Sequence, residues 1–334
     1  MTAVNATTGN LVYAPTRDGG SLPVIDVTSP RFAIPDDPES LRELFETAAY
    51  EERRYRRVPR FIMRLMMKAA AKRSLLVRAI FDPGATYLDG LSTYVMKLGA
   101  GNLPPPYDEP TDLRIAASAP LVLLRLRTQQ VARLMADGLV EHLTGNATPL
   151  HLINIGGGPA IDSMNALLLL NRRERDLLRR PIVIHVLDLD EAGPFFGANA
   201  LTALKAEGAP LAGLDVSFDH RRYNWDEPGA LGLLVDELVA AGAVIAASSE
   251  GGLFEYGDDA AIVANLAALR AGARLVAGSV TSADESRRRA ITASKFKLIP
   301  RGLEGFAPLA THGGFRIAQA ESAQLSDQVL LRPL

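Results

Sequence analysis

Three consecutive glycines, Gly156-Gly157-Gly158, follow the short apolar run Leu150 to Ile155 and precede a helical pattern that begins at Ile161. Glycine accepts positive φ and lets the main chain approach a ligand with no Cβ in the way. The helix start beyond it supplies unpaired N–H donors and partial positive charge. Such a strand–turn–helix can hold a dinucleotide, a nucleotide or the carboxylate of an amino acid, and it can also be a tight turn with no ligand. Further on, a second apolar run ends in Asp188-Leu189-Asp190. An acid at that point can accept both hydroxyls of an adenosine ribose. Asp188 follows the run directly and is the candidate ribose ligand, whereas Asp190 can cap the next helix.

The elements that must position these residues show in the periodicity. Strand-like runs at Leu150–Ile155, Pro181–Leu189, Leu214–Phe218, Ala243–Ala247 and Arg274–Val280 alternate with helical patterns. Those helices cover Ile161–Leu178, Gly197–Glu207, Glu227–Ala241 and Asp258–Leu269. The alternation predicts an α/β fold with a doubly wound, mostly parallel sheet. Gly314–Ala320 and Gln328–Arg332 break it, with only Ser322–Asp327 between them, and predict a terminal antiparallel hairpin. Three regions follow: an arm over 1–35, rich in Gly and Pro; a helical region over 36–145; and the α/β core over 146–334. Within the helical region, Asp36-Asp37-Pro38-Glu39 marks a helix start, Arg60 to Phe81 is a second helical stretch, and Pro120 to Leu143 carries an apolar face.

Composition narrows the function. The 334 residues are 48% hydrophobic and 22% charged with a formal net charge of −2. That suits a soluble globular protein and advertises no nucleic-acid partner. There is no cysteine, which excludes disulfides, thiolate zinc sites and cysteine nucleophiles. The histidines are dispersed without HxxxH spacing, so no metal is expected. Neither a GxSxG elbow nor a GxxxxGK[ST] loop occurs. Residues 1–30 lack the apolar core of a secretory leader, and no run has the length of a membrane span, so a cytoplasmic location is expected. A nicotinamide dinucleotide site wants a third glycine where Ile161 stands, which disfavours a nicotinamide-dependent oxidoreductase.

From Leu150 onward the chain resembles the class I S-adenosylmethionine (SAM)-dependent methyltransferases. That family has a seven-stranded sheet whose last strand is antiparallel, inserted by a terminal hairpin. Its first motif, D/E-x-G-x-G-x-G, stands here as Asn154-Ile155-Gly156-Gly157-Gly158-Pro159-Ala160, with Asn154 in place of the acid and Ala160 in place of the third glycine. Its second motif matches Asp188, followed by Leu189. Its adenine loop aligns with Arg222-Tyr223-Asn224-Trp225-Asp226, and its fourth element with Ser248-Ser249-Glu250-Gly251-Gly252. The resemblance implies SAM as cofactor, held by Asn154, Gly156, Gly157, Gly158, Pro159, Asp188, Leu189, Asn224, Trp225, Ser248 and Ser249. Trp225, the single tryptophan, could stack on adenine or plug the core. Arg125-Leu126-Arg127-Thr128 is similar to the arginine-bearing helix of the leucine carboxyl methyltransferase-like group, which makes Arg127 a candidate for the cofactor carboxylate.

The resemblance further implies methyl transfer to a small molecule, of the kind met in secondary metabolism. A SAM-fold enzyme turned to another reaction, or a module that binds SAM without turning it over, are the alternatives. A base is needed only where the attacking atom is protonated. Glu250 and His312 are the candidates, with His220 a third, and Glu250 could instead hold the cofactor's amino group. The helical region could serve as a lid, a substrate-binding surface or a homodimer interface. Between Arg53 and Arg78 lie ten Lys and Arg and no acid, interleaved with Phe61, Ile62, Met63, Leu65, Met66 and Met67. Such a stretch can be an RNA-binding helix, a membrane-surface helix or a lid for an acidic substrate. The plain reading is a helix packing its apolar side on the core, and the methionine-rich face suits a small-substrate lid.

Overall fold

A computed structural model of the protein describes residues 11–81, 90–284 and 297–334. Seven strands form its main sheet. They are β3 (Leu150–Ile155), β4 (Ile182–Asp188), β5 (Val216–Arg222), β6 (Val244–Ser249), β7 (Ala273–Thr281), β8 (Phe315–Ala323) and β9 (Ser326–Pro333), in the order β5-β4-β3-β6-β7-β9-β8. β3 to β7 are parallel, and β9 runs antiparallel between β7 and β8. The sheet is covered on both faces, which is why its central strands are mostly apolar rather than alternating. In β3, Leu150 and Leu152 enter one core while Ile153 and Ile155 enter the other. The first core is closed by α6 (Ala119–Leu143), α7 (Ile161–Glu174) and α8 (Ala192–Leu204). The second is closed by α9 (Gly229–Ala240), α11 (Asp259–Leu269) and α12 (Gly302–His312).

The strand order fixes where a ligand can sit. The chain steps outward from β3 to β4 to β5, then returns to lay β6 on the other side of β3. Connections diverge at that reversal and leave a crevice beyond the carboxyl ends of β3 and β6. Gly156 and Ser249-Glu250 stand at those two ends.

Several boundaries depart from the sequence reading, each for a physical reason. β5 extends to Arg222 rather than ending at Phe218, because it is an edge strand and tolerates the charged run Asp219 to Arg222. The hairpin turn is only Gln324-Leu325, with Gln324 at φ +49°, so both strands are longer than their apolar residues suggest. The stretch Arg60–Phe81 is two helices, α2 (Arg60–Ala70) and α3 (Leu75–Phe81). The break comes at Ser74, whose hydroxyl accepts the Val77 N–H at 3.0 Å and donates to Asp112. Helices α1 (Pro38–Arg56), α4 (Gly90–Met96), α5 (Pro110–Ala116) and α10 (Leu253–Tyr256) complete the set used below.

The expected arm is not free over its described part. β1 (Tyr13–Pro15) and β2 (Ser21–Pro23) form a hairpin, and Val24, Ile25, Val27 and Phe32 are buried in the first core. The Tyr94 hydroxyl on α4 donates to the Pro23 carbonyl at 2.7 Å and accepts the Ile25 N–H at 2.8 Å. Asn165 on α7 accepts the Val27 N–H at 2.7 Å and donates to the Ile25 carbonyl at 3.0 Å. Extended chain that lacks periodicity is thus satisfied by side chains. Among the described residues no helix is long and apolar enough to cross a membrane, and no group of three or more His, Asp or Glu could hold a metal ion.

Candidate functional site

A cavity of about 420 Å³ opens at the predicted crevice. Its walls bring together Gly156, Gly157, Gly158 and Pro159 from the turn after β3, Asp188, Leu189 and Asp190 after β4, Trp225 after β5, and Glu250 after β6. The helical region supplies Gly90, Thr93, Tyr94 and Lys97 from α4 and its end, which lie across the opening of the glycine turn.

The turn needs glycine for definite reasons. Gly156 has φ +65°, and a Cβ there would lie 2.8 Å from the Trp225 ring. Gly158 has φ +54°, and a Cβ there would lie 2.9 Å from the Gly90 Cα. Ala160, the departure from the family motif, has φ +54° as well. The left-handed geometry of the turn therefore continues through a residue that is not glycine.

Asp188 is held by the turn it faces. Its Oδ2 accepts the Gly158 N–H at 2.8 Å and its Oδ1 accepts the Asp190 N–H at 2.9 Å. Burial raises its pKa, against the effect of those two N–H groups. Each oxygen keeps a second lone pair. Asp190 spends both oxygens on the start of α8, accepting from Ala192 at 3.1 Å and Gly193 at 2.9 Å. It caps that helix, while Asp188 braces the glycine turn; both acids line the cavity.

Beneath the turn lies a buried polar cluster. The Asn154 amide donates to Asp162 at 2.6 Å and to Ser248 at 3.1 Å, while its own Oδ1 and the second oxygen of Asp162 have no hydrogen-bond partner. Burial, with help from the nearby Glu250 charge, pushes the Asp162 pKa up to about 6. Asn154 and Ser248 thus form the floor and do not line the cavity, and Ser249 donates to the Ile155 carbonyl at 2.9 Å. The acid missing at position 154 is present eight residues later on α7, hydrogen-bonded to Asn154.

The far end is ionic. Lys97 pairs with Glu250, Arg127 pairs with the same carboxylate at 2.5 Å, and Arg127 reaches Glu255 on α10 at 3.0 Å. All four side chains are no more than 6% exposed. Burial works against the Glu250 charge, but Arg127 and Lys97 outweigh it and hold its pKa below the ordinary carboxylate range. A carboxylate so held is a poor proton acceptor. Lys97 and Glu250 face the cavity, whereas Arg127 stands behind them. Arg127 and Glu250 were candidates from the sequence and Lys97 was not; its only signal was a lysine inside the apolar stretch Tyr94 to Leu98.

The remaining candidates separate clearly. Trp225 lies against Gly156 in the cavity wall and also packs on the second core. Asn224 uses its side chain to accept the Asp226 N–H at 3.2 Å and is not in the wall, while Asp226 is. His312 is exposed on the last turn of α12, at the end of the molecule where β8 begins and away from the crevice; it is not brought to the site. His220 lies within β5, its Nε2 3.2 Å from the Asp188 carbonyl, and is also outside the wall. Among the described residues, none of α2 lines the cavity.

The strand order, with one antiparallel strand seated between the last two parallel ones, decides the architecture. It is the sheet that the resemblance to the class I methyltransferases implies. Among solved structures, the chain is similar to magnesium protoporphyrin IX methyltransferase from Synechocystis PCC 6803 with bound SAH (TM-score 0.42, 14% identity, 64% of this chain and 87% of that one). It is also similar to the pyocyanin biosynthetic protein PhzM (0.40, 15%, 68% and 59%). A third is an O-methyltransferase from neocarzinostatin biosynthesis in complex with SAM and 2-hydroxy-5-methyl naphthoic acid (0.36, 16%, 64% and 58%). No protein-family model and no curated protein sequence matches the chain.

Proposed function

We propose that the protein is a SAM-dependent methyltransferase with a small-molecule acceptor. The observation that carries this reading is the convergence, on one cavity, of a glycine turn, Asp188 at the end of β4 and the buried pair Lys97–Glu250. These groups correspond in kind to the parts of one molecule. Asp188 would accept the ribose hydroxyls, and Trp225 would lie beside the adenine. Lys97 and Glu250 present a cation and an anion side by side, the complement of an α-amino acid zwitterion. Lys97 has three N–H donors, of which Glu250 takes one among the described residues. The volume lies within the roughly 300–1,000 Å³ of drug-sized ligand sites, so cofactor and small acceptor together suit it better than a macromolecule.

The bound cofactor supplies an electrophilic methyl and its own leaving group. The protein's part is to orient, to exclude water and to keep its charges fixed. Glu250 and Arg127 do this by holding Lys97 in place. The described walls contain no histidine, and Glu250 is held as an anchor, so the reading favours an acceptor that needs no strong protein base.

Asp188→Ala tests it. Loss of the ribose hydrogen bonds, each worth about 1.5–3 kcal/mol, should weaken SAM at least about tenfold in calorimetry with the melting temperature of the free protein nearly unchanged. The wild-type protein should be stabilised by SAM and S-adenosylhomocysteine and not by NAD(H). Absence of a thermal shift with both adenosyl compounds would sink the proposal.

A further inference from the structure

Helix α2 turns its apolar side outward. Phe61 is 73% exposed, Leu65 69% and Met66 57%, with Ile62 beside them. These positions recur at i, i+1, i+4 and i+5 and so make one continuous stripe on the helix. Met63, Met67 and Ala70 are the half-buried residues, so the face that the sequence reading assigned to the core is in large part the solvent face. Arg57, Lys68, Lys72 and Arg73 are exposed around it, and so are Arg53 and Arg54 at the end of α1. From Arg53 to Arg78 no acid interrupts them. The cavity uses no residue of this helix.

We propose that α2 is a peripheral docking element for an anionic lipid surface. An exposed apolar stripe of Phe, Ile, Leu and Met bordered by Lys and Arg is the composition that lies in a membrane interface, apolar side in the acyl boundary and cations among the headgroups. Charge complementarity chooses this occupant over a second copy of the chain. A two-fold contact brings the same patch against itself. Two such helices would then bring their basic flanks together with no carboxylate in the segment to offset them. A lipid surface of opposite sign meets both halves of the pattern at once. The helix is too short to span a bilayer and no described helix does so, which fits attachment from one side.

Flotation with vesicles of phosphatidylcholine, with and without phosphatidylglycerol, tests this on the full chain. Binding to the anionic vesicles at low salt should exceed binding to the neutral ones by about tenfold or more and fall steeply as salt is raised. Phe61→Ser with Leu65→Ser, and separately Lys68→Glu with Lys72→Glu, should each cut retention about tenfold while SAM binding and the melting temperature stay as in the wild type. Should the serine pair lower the melting temperature, the glutamate pair decides alone. Failure to float with anionic vesicles overturns the proposal, as does equal retention on both compositions or retention indifferent to the charge reversals. A sedimentation mass of a dimer that the serine pair dissociates, in a protein that ignores vesicles, assigns the face to a second copy instead.

Discussion

At one end of the cavity the ligand-facing groups are backbone; at the other they are the tips of long side chains. Around Gly156–Gly158 the main chain itself bends with positive φ, and Asp188 is fixed by two N–H groups within a few residues of the strand ends. Around Glu250 the positions come from four separate segments: Lys97 after α4, Arg127 on α6, Glu250 after β6 and Glu255 on α10. The first arrangement is local and tolerates loss of one side chain. The second balances two cations against two anions away from water, so each member depends on the rest.

The largest effect expected from this difference is at Glu250. Glu250→Ala takes away the ion-pair partner of Lys97 and leaves Arg127 with Glu255 alone. Removing one partner of a buried ion pair costs about 3–5 kcal/mol, so urea unfolding should show a loss of that order. The Asp188→Ala protein should lose affinity and little stability. A Glu250→Ala loss below about 1 kcal/mol, the range of exposed ion pairs, would mean that water reaches the cluster and the two ends are not built differently after all.

The same contrast explains what the sequence made legible. The glycine turn, Asp188 and the strand order could be anticipated because each is a local pattern: an apolar run, a break, an acid at a strand end. Lys97 could not, because what makes it a site residue is its burial beside Glu250, more than 150 residues away. His312 misled because proximity to the terminal hairpin in sequence is not proximity to the crevice; α12 carries it back to the end of the sheet where β8 starts. Helix α2 misled for another reason. Its periodicity showed an apolar face truly enough, but periodicity has no sign, and only the packing shows that the face looks outward.

Beneath the turn, Asp162 sharpens the comparison, since it is a buried acid without a cation in contact. Its pKa is raised to about 6 from 3.8, mainly by burial. The folded state therefore binds its proton more tightly than the unfolded state does. The stabilisation is complete below about pH 4 and is lost as pH rises through about 6. Asp162→Asn abolishes that loss while keeping an acceptor for Asn154. Its stability relative to wild type should climb between pH 4 and 7 by an amount of order 1–3 kcal/mol, read from thermal melts at each pH. A flat difference would show that Asp162 is compensated by groups the described contacts do not reveal, and would make this part of the site as locally satisfied as Asp188.

Ala160 gives the smallest and most local test. It has a left-handed φ of +54°, and its methyl is fully buried in the first core. Left-handed geometry costs a residue with a Cβ roughly 1–2 kcal/mol. A buried methyl contributes about 0.8 kcal/mol in return. The two nearly offset, with strain ahead, so Ala160→Gly should stabilise the protein by a few tenths to about 1 kcal/mol and leave SAM affinity within about twofold. A loss of more than about 1 kcal/mol would show that packing of the methyl outweighs the strain. The turn would then owe part of its shape to side-chain packing, and the division between a backbone-built end and a side-chain-built end would have to be redrawn at this residue.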